Sequence, residues 1–377
     1  MKISVICPDV SHNCLGRSYL LAQLLERNYN VEIVGPELGD GIWQPLEDEY
    51  EYKSTKMRGS IIDLPLHYRS LSRKISGDVI YATKPRMTSY GISLAHTAFS
   101  EKPLILDIDD WESGFLYEDS AHPMISYIKS IPQMVNLNAL NYMRLLEFFS
   151  DRADAITVSN RFLQGKFGGS LIPHVRDTDV FDPSLFDQQD VRDELNLPTG
   201  KCIVLFSGTP RPHKGVADLI HSIDLLDRSD LIALIVGAHD SEYVRKLQSM
   251  AGDSVIFRGK QPFNQLPKWI AAADIFAIPQ RNSLSTRGQL PAKVFDAMAM
   301  GKAIVATDVS DLPSILEECG VVVEPESPQE LAIAIRELVE DPQKREALGS
   351  SARKVCVENY SYDALTPKTT SIIDKVT

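Results

Sequence analysis

Short apolar runs alternate with helical patterns along most of this chain. Residues 2–7, 31–35, 78–84, 103–108 and 155–159 are compact runs that suit strands of a parallel sheet buried on both faces. Between the first two, Leu20, Leu21, Leu24 and Leu25 recur at helical spacing from about Ser18 onward. A strand, a polar loop, a helix and a second strand form a βαβ unit, which implies parallel pairing and a right-handed crossover. The second half restarts the rhythm, with strands expected at 202–207, 231–236, 255–258, 275–279, 303–307 and 321–323. Helical patterns occupy 216–226, 266–273, 290–300 and 328–338, and later 345–356 and 362–376. Two doubly wound α/β domains are therefore expected.

The pattern weakens in three places. Residues 37–66 hold aromatics and acids, such as Trp43, Glu49 and Tyr50, without an assignable period. Residues 121–149 read as helical, with breaks at Pro123 and Pro132 and many large apolar side chains (Met124, Tyr127, Met134, Tyr142, Met143, Phe148, Phe149). Ordinary packing accounts for these better than an acceptor wall or a membrane contact. From 172 to 200, Pro173, Pro183 and Pro198 mark a linker with one short helix near 191–195. The resulting division is an N-terminal domain over 1–180, a C-terminal domain over 181–360, and a final helix over 361–377 that crosses back to the first domain.

Composition narrows the function. A net charge of −12 argues against a nucleic-acid partner. No apolar run reaches the length that spans a bilayer, and residues 1–8 read as a strand instead of a signal peptide. Residues 1–180 hold 18 Lys+Arg against 23 Asp+Glu, a net of −5, which does not favour even peripheral contact with an anionic membrane. The five cysteines are widely spaced and include no Cys-x-x-Cys pair, as expected of free thiols in the cytoplasm.

Candidate chemistry gathers at strand ends, the edge where open α/β sheets bind ligands. In the first half, Ser11, His12, Asn13 and Gly16 follow the first strand without a Gly-x-Gly-x-x-Gly fingerprint. Lys84-Pro85-Arg86 follows another, and Asp107, Asp109, Asp110 and Glu112 crowd a third beside Trp111. Four acids at one strand end need water, a cation or a polar ligand. They could also cap the next segment or pair with Arg86, and no metal-ligand spacing accompanies them. In the second half, three loops converge on one expected edge. Gly208-Thr209-Pro210-Arg211-Pro212-His213-Lys214-Gly215 offers two cations for a dianion. Gly259-Lys260-Gln261 could meet a base edge. Arg287-Gly288-Gln289-Leu290 runs into an apolar helix, expected from Pro291 to Met300 and stopped by Gly301, whose only polar side chains are Lys293 and Asp296. These two share a helix face, either as a minor ion pair or lining a phosphate-facing seam.

The second half resembles the donor domain of the retaining glycosyltransferases of family 4, the glycosyltransferase group 1 type. The resemblance lies in Gly208-x5-Lys214-Gly215, Ala273-Asp274-Ile275-Phe276, Phe295-Asp296-Ala297-Met298-Ala299-x-Gly301-Lys302 and Gly320-Val321-Val322-Val323-Glu324-Pro325. Gly16 and Ile172-Pro173-His174-Val175 match the first half more loosely. It implies a GT-B architecture: two facing Rossmann-like doubly wound domains with the active site in the cleft between them. It further implies a nucleotide-sugar donor, with uracil the expected base, no cofactor, no metal, and transfer of a hexosyl unit to a small-molecule or glycan hydroxyl with retention. Gly16, Gly208, Arg211, Lys214, Lys260, Gln261, Arg287, Gly288, Gln289, Leu290, Lys293 and Asp296 are then expected around the donor, with Asp296 on the ribose. His12, Asn13, Lys84, Arg86 and Trp111 are expected around the acceptor. Asp109, Asp110, Arg211 and Lys214 are expected to carry the reaction.

Two departures stand out. The family carries two glutamates separated by seven residues; here the second is Asp296 and the first is Gly288, so Gln289, Arg287 or Asn282 must contact the sugar instead. Asp109 stands where the family often has an acceptor-side histidine. A non-catalytic nucleotide-sugar-binding protein and a GT-B epimerase or phosphorylase are the rival readings.

Overall fold

The computed structural model describes residues 1–114 and 135–377. Its chain divides into two compact units. The first comprises Met1–His174, Arg287–Leu290 and Leu365–Thr377, and the second Val175–Thr286 and Pro291–Ala364.

In the first unit, strands β1 (Lys2–Ile6), β2 (Asn30–Glu37), β3 (Tyr52–Lys56), β4 (Val79–Thr83), β5 (Leu104–Ile108), β6 (Ala155–Val158) and β7 (Ser170–Leu171) form one sheet in the order 3-2-1-4-5-6-7. Every pairing is parallel. Helices on both faces bury β4 and β5 completely, so Val-Ile-Tyr-Ala-Thr and Leu-Ile-Leu-Asp-Ile read as unbroken runs. The edge strand β3, Tyr-Lys-Ser-Thr-Lys, is only half-buried. Its polarity explains why residues 37–66 gave no readable period.

The second unit repeats the plan with β8 (Cys202–Ser207), β9 (Leu231–Ala238), β10 (Val255–Gly259), β11 (Ile275–Ile278), β12 (Ala303–Thr307) and β13 (Val321–Val323), all parallel, in the order 10-9-8-11-12-13. Val204, Phe206, Ile235 and Ala277 pack with Leu219, Ile220, Leu331 and Ile335 in its core. Each fully buried aliphatic side chain contributes about 1.5–3 kcal/mol. In each sheet the order reverses beside its first strand, leaving a crevice at the carboxyl edge between β1 and β4 and another between β8 and β11.

Several elements differ from expectation. The first helix spans Leu15–Glu26, so Gly16 lies in its first turn, where an added Cβ would meet nothing closer than 3.9 Å. Helices Arg161–Phe167 and Glu242–Met250 were not foreseen, although Asn160 and Ser241 cap them through side-chain oxygens. The helix expected over 290–300 spans only Lys293–Ala299, because the chain passes from one unit to the other between Leu290 and Pro291. The linker turns at Val175 instead of 181, since Arg353 Nη1 donates to Phe181 O at 2.8 Å and binds this segment into the second unit. The helix Tyr362–Val376 enters the first unit at Leu365. Of the helical stretch expected over 121–149, Leu140–Phe148 is a helix, whereas Met124, Tyr127 and Met134 lie outside the described residues. Among the described residues no helix is long and apolar enough to cross a membrane.

Candidate functional site

In the first unit the acids of β5 meet a set of buried cations. Asp107, inside the strand and fully buried, receives Arg17 Nε at 2.9 Å and Nη2 at 2.7 Å, with Thr157 Oγ1 at 2.8 Å. Such a fork satisfies a buried carboxylate bidentately. Lys84, which follows β4 with φ +64°, places its ammonium 2.9 Å from Asp109, 2.6 Å from Asp110 and 2.9 Å from Glu112. It donates to Asp110 Oδ2, whereas the approach to Asp109 Oδ1 lacks hydrogen-bond geometry. Arg86 Nε completes Glu112 at 2.9 Å. Burial pushes the Asp109 carboxyl up to about 7 despite Lys84, with Asp110 and Asp107 adding repulsion. Glu112 is held at about 2, because Arg86 and Lys84 outweigh its desolvation. Lys84 and Arg86, expected around an acceptor, are thus both held by carboxylates of this unit. Lys84 is 3% exposed, and both cations are engaged by carboxylates that would otherwise be buried unpaired.

His12 and Asn13 are exposed beyond β1, and Asp9 Oδ2 holds His12 Nδ1 at 2.5 Å. Asp9 was not singled out from the sequence, yet its Oδ1 also accepts from the backbone N–H groups of Ser11 and Leu38, so it shapes the whole loop. The Trp111 ring lies 5.5 Å from that of Phe162, with Lys166 Nζ above it at 4.8 Å.

Residues Arg287–Leu290 belong with this unit. Trp111 N donates to Gly288 O at 3.1 Å, Asp110 and Gln289 form an antiparallel bridge, and Gln289 Nε2 donates to Asp110 Oδ1 at 3.1 Å. A Cβ at position 288 would sit 2.6 Å from Trp111 Cβ. The place where the resemblance leads one to expect a glutamate is therefore filled by Trp111 Cβ and the edge of the Phe162 ring, and the carboxylate beside it is Asp110. Arg287 is exposed and Leu290 is buried.

In the second unit, two lysine amines gather at the end of β8. Lys293 Nζ stands 3.8 Å above the Phe206 ring, and a Cβ built on Gly208 (φ +121°) would lie 3.0 Å from it and 4.0 Å from Lys214 Nζ. Burial and the neighbouring Lys214 hold the Lys293 amine well below the usual lysine range, against the smaller pull of Asp296. The approach is possible because Gly237 packs against Gly208; a Cβ there would be 2.7 Å from Gly208 C. Gly215 (φ +65°) crosses β11 so closely that a Cβ would fall 1.7 Å from Pro279 O. Arg211 is exposed at the start of the same turn.

Asp296 and Lys293 do not pair as the helix spacing allowed. Asp296 is 4% exposed and its Oδ1 accepts from Arg176 Nε. Arg176 lies in the segment read from the sequence as a linker, where nothing in the local pattern marks it as the partner of Asp296. Beyond β9 and β10 lies a cavity of about 350 Å³ lined by His239, Asp240, Arg245, Phe257, Arg258 and Gly259. Lys260 is exposed next to it, and Gln261 Nε2 turns back to Gly259 O at 3.2 Å.

Two Rossmann-like units of this order are the fold of the GT-B glycosyltransferases, and solved structures agree. Anabaena Alr3699/HepE in complex with UDP-glucose superposes with a TM-score of 0.77 at 18% identity, covering 99% of each chain. Sucrose-phosphate synthase from Thermosynechococcus elongatus gives 0.72 at 18%, covering 100% of this chain and 98% of that one. Residues 187–355 match the family model of the glycosyl transferases group 1. The GDP-mannose-dependent alpha-(1-6)-phosphatidylinositol monomannoside mannosyltransferase of Mycobacterium tuberculosis is 27% identical over 245 residues, 59% of this chain. The D-inositol 3-phosphate glycosyltransferase of a Nocardioides species is 29% identical over 199 residues, covering 47% of this chain and 42% of that protein. The chain spans 62% of the length of the mannosyltransferase it matches.

Proposed function

We propose that this protein is a retaining glycosyltransferase that moves a hexosyl unit from a nucleotide sugar to an acceptor hydroxyl. The observation that carries the reading is the pair of lysines at Gly208. Two lysine amines held together at a glycine-lined crevice disfavour each other's charge, and a diphosphate placed there would favour the charged form of both. Arg211, exposed on the same loop, supplies a third cation as negative charge grows on the leaving diphosphate.

In the proposed route the sugar–phosphate bond breaks on the same face as the acceptor attacks. The departing diphosphate oxygen takes the acceptor proton, so Lys214, Lys293 and Arg211 perform the electrostatic work without a metal. Asp109 and Asp110 orient the acceptor hydroxyl or the donor sugar, Asp296 holds the ribose, and the cavity beside Gly259 receives the base. The base is uracil in the first instance; the GDP-mannose dependence of the mycobacterial relative makes guanine the second reading. Five free cysteines among the described residues agree with a cytoplasmic setting.

The test is a thermal-shift screen of UDP, GDP, UDP-glucose and GDP-mannose, followed by donor hydrolysis with the stabilising compound. A bound donor raises the melting temperature by mass action. Binding without turnover of any donor would replace the enzyme by a nucleotide-sugar-binding protein. Interconversion of the donor sugar would make it an epimerase, and phosphate-dependent cleavage a phosphorylase.

A further inference from the structure

We infer that Arg176 is a positioning residue for the donor ribose, acting through Asp296. This rests on the donor reading above and deepens it. Arg176 is 3% exposed and enters the second unit two positions after His174. Its backbone is fixed on both sides: Arg176 N donates to Tyr360 O at 3.0 Å, and Tyr362 N donates to Arg176 O at 3.1 Å. Its guanidinium spreads in three directions. Nε binds Asp296 Oδ1, Nη2 reaches Ala292 O at 3.2 Å, and Nη1 reaches Val175 O at 2.6 Å.

Ala292 and Asp296 bracket the first turn of the helix Lys293–Ala299, so one side chain grips that turn at both ends. The turn presents Lys293 toward Gly208 and Asp296 toward Arg176. Arg176 occupies Oδ1 and fixes the carboxylate plane, leaving Oδ2 to accept a ribose hydroxyl. A guanidinium suits this task because its planar fork spends little orientational freedom per bond. A pair that only held the fold would do so equally well for any nucleotide sugar moiety. A pair that aims a carboxylate distinguishes nucleotides with ribose hydroxyls from those without.

Calorimetric titration of the full chain with UDP and GDP, and with their 2′,3′-dideoxy counterparts, reads that distinction. In the wild type, loss of hydroxyls bound by a carboxylate weakens binding about ten- to hundredfold. Arg176→Met is expected to bring the ribo-to-dideoxy ratio close to one, and Arg176→Lys to reduce it partly, with folding checked by thermal unfolding. Should Arg176→Met fail to fold, Arg176→Lys carries the same readout. A folded variant that keeps the wild-type ratio overturns the role of Arg176 while leaving the donor reading intact. A wild type that binds dideoxy and ribonucleotides alike overturns the ribose site itself. Absence of binding to either nucleotide overturns the donor reading and this inference with it.

Discussion

The carbonyl of Gly288 accepts the N–H of Trp111 at 3.1 Å, and a Cβ at position 288 would stand 2.6 Å from Trp111 Cβ. A glutamate at this position, where the resemblance leads one to expect an acid, would have to enter that space. Its Cβ must first displace Trp111 Cβ and the edge of the Phe162 ring. Even Gly288→Ala is expected to lower stability by about 1–3 kcal/mol through overpacking. Urea unfolding measures it, and an unchanged midpoint would show that the 110–111 segment yields freely.

Lys84 holds together the three acids that follow β5. Replacing it with methionine leaves Asp109, Asp110 and Glu112 without their shared cation, three acids with side chains at most 20% exposed. Removing one partner of such a buried network costs about 3–5 kcal/mol. Lys84→Met should therefore unfold at markedly lower urea, with the loss easing in acid as the carboxylates protonate. A variant as stable as the wild type at neutral pH would contradict the network.

Asp109 gives the protein a titration near neutrality. Its folded value of about 7 lies above the ordinary 3.8, so the folded state binds the proton more tightly. Its contribution to stability is present below about 4 and is lost as pH rises through 7. Glu112, held at about 2, acts oppositely, with stability lost as pH falls from its ordinary 4.5 toward 2. If the Asp109 carboxylate orients substrate, transfer activity will show a limb near pH 7 that Asp109→Asn removes. Persistence of that limb in the variant would assign it to another group.

Lys293 predicts a proton taken up on binding. Its amine is held below the ordinary 10.5 by burial and Lys214, so part of the population is neutral in the window beneath that value. Stability from this group rises as pH climbs through the window, because there the unfolded chain binds more protons. A diphosphate favours the charged form. Titration of UDP below pH 10.5, in the window where the lysine of the unfolded chain is charged, in buffers of different ionisation enthalpy should therefore show proton uptake, abolished in Lys293→Met. Equal heats in all buffers would contradict a neutral Lys293.

How much of this was legible follows from the physics of each element. Strands buried on both faces announce themselves, and β4, β5, β8, β11 and β12 were read within a residue or two. The polar edge strand β3 and the short capped helices Arg161–Phe167 and Glu242–Met250 carry little hydrophobic signal and were passed over. The loop Gly208–Gly215 was found because its glycines and cations sit next to one another in sequence. The partners of those charges were not found, because a carboxylate's partner is set by distance in space.

The sequence by itself determined two doubly wound units, the strand ends that hold chemistry, and a glycine in place of an acid at 288. These depend on local periodicity and on residues a few positions apart. Only the tertiary structure decided that Asp296 belongs to Arg176, 120 positions away, that Lys293 turns to Phe206 and Lys214, and that Lys84 serves three acids. Buried charges choose partners by proximity and desolvation, and neither is written in the order of the residues.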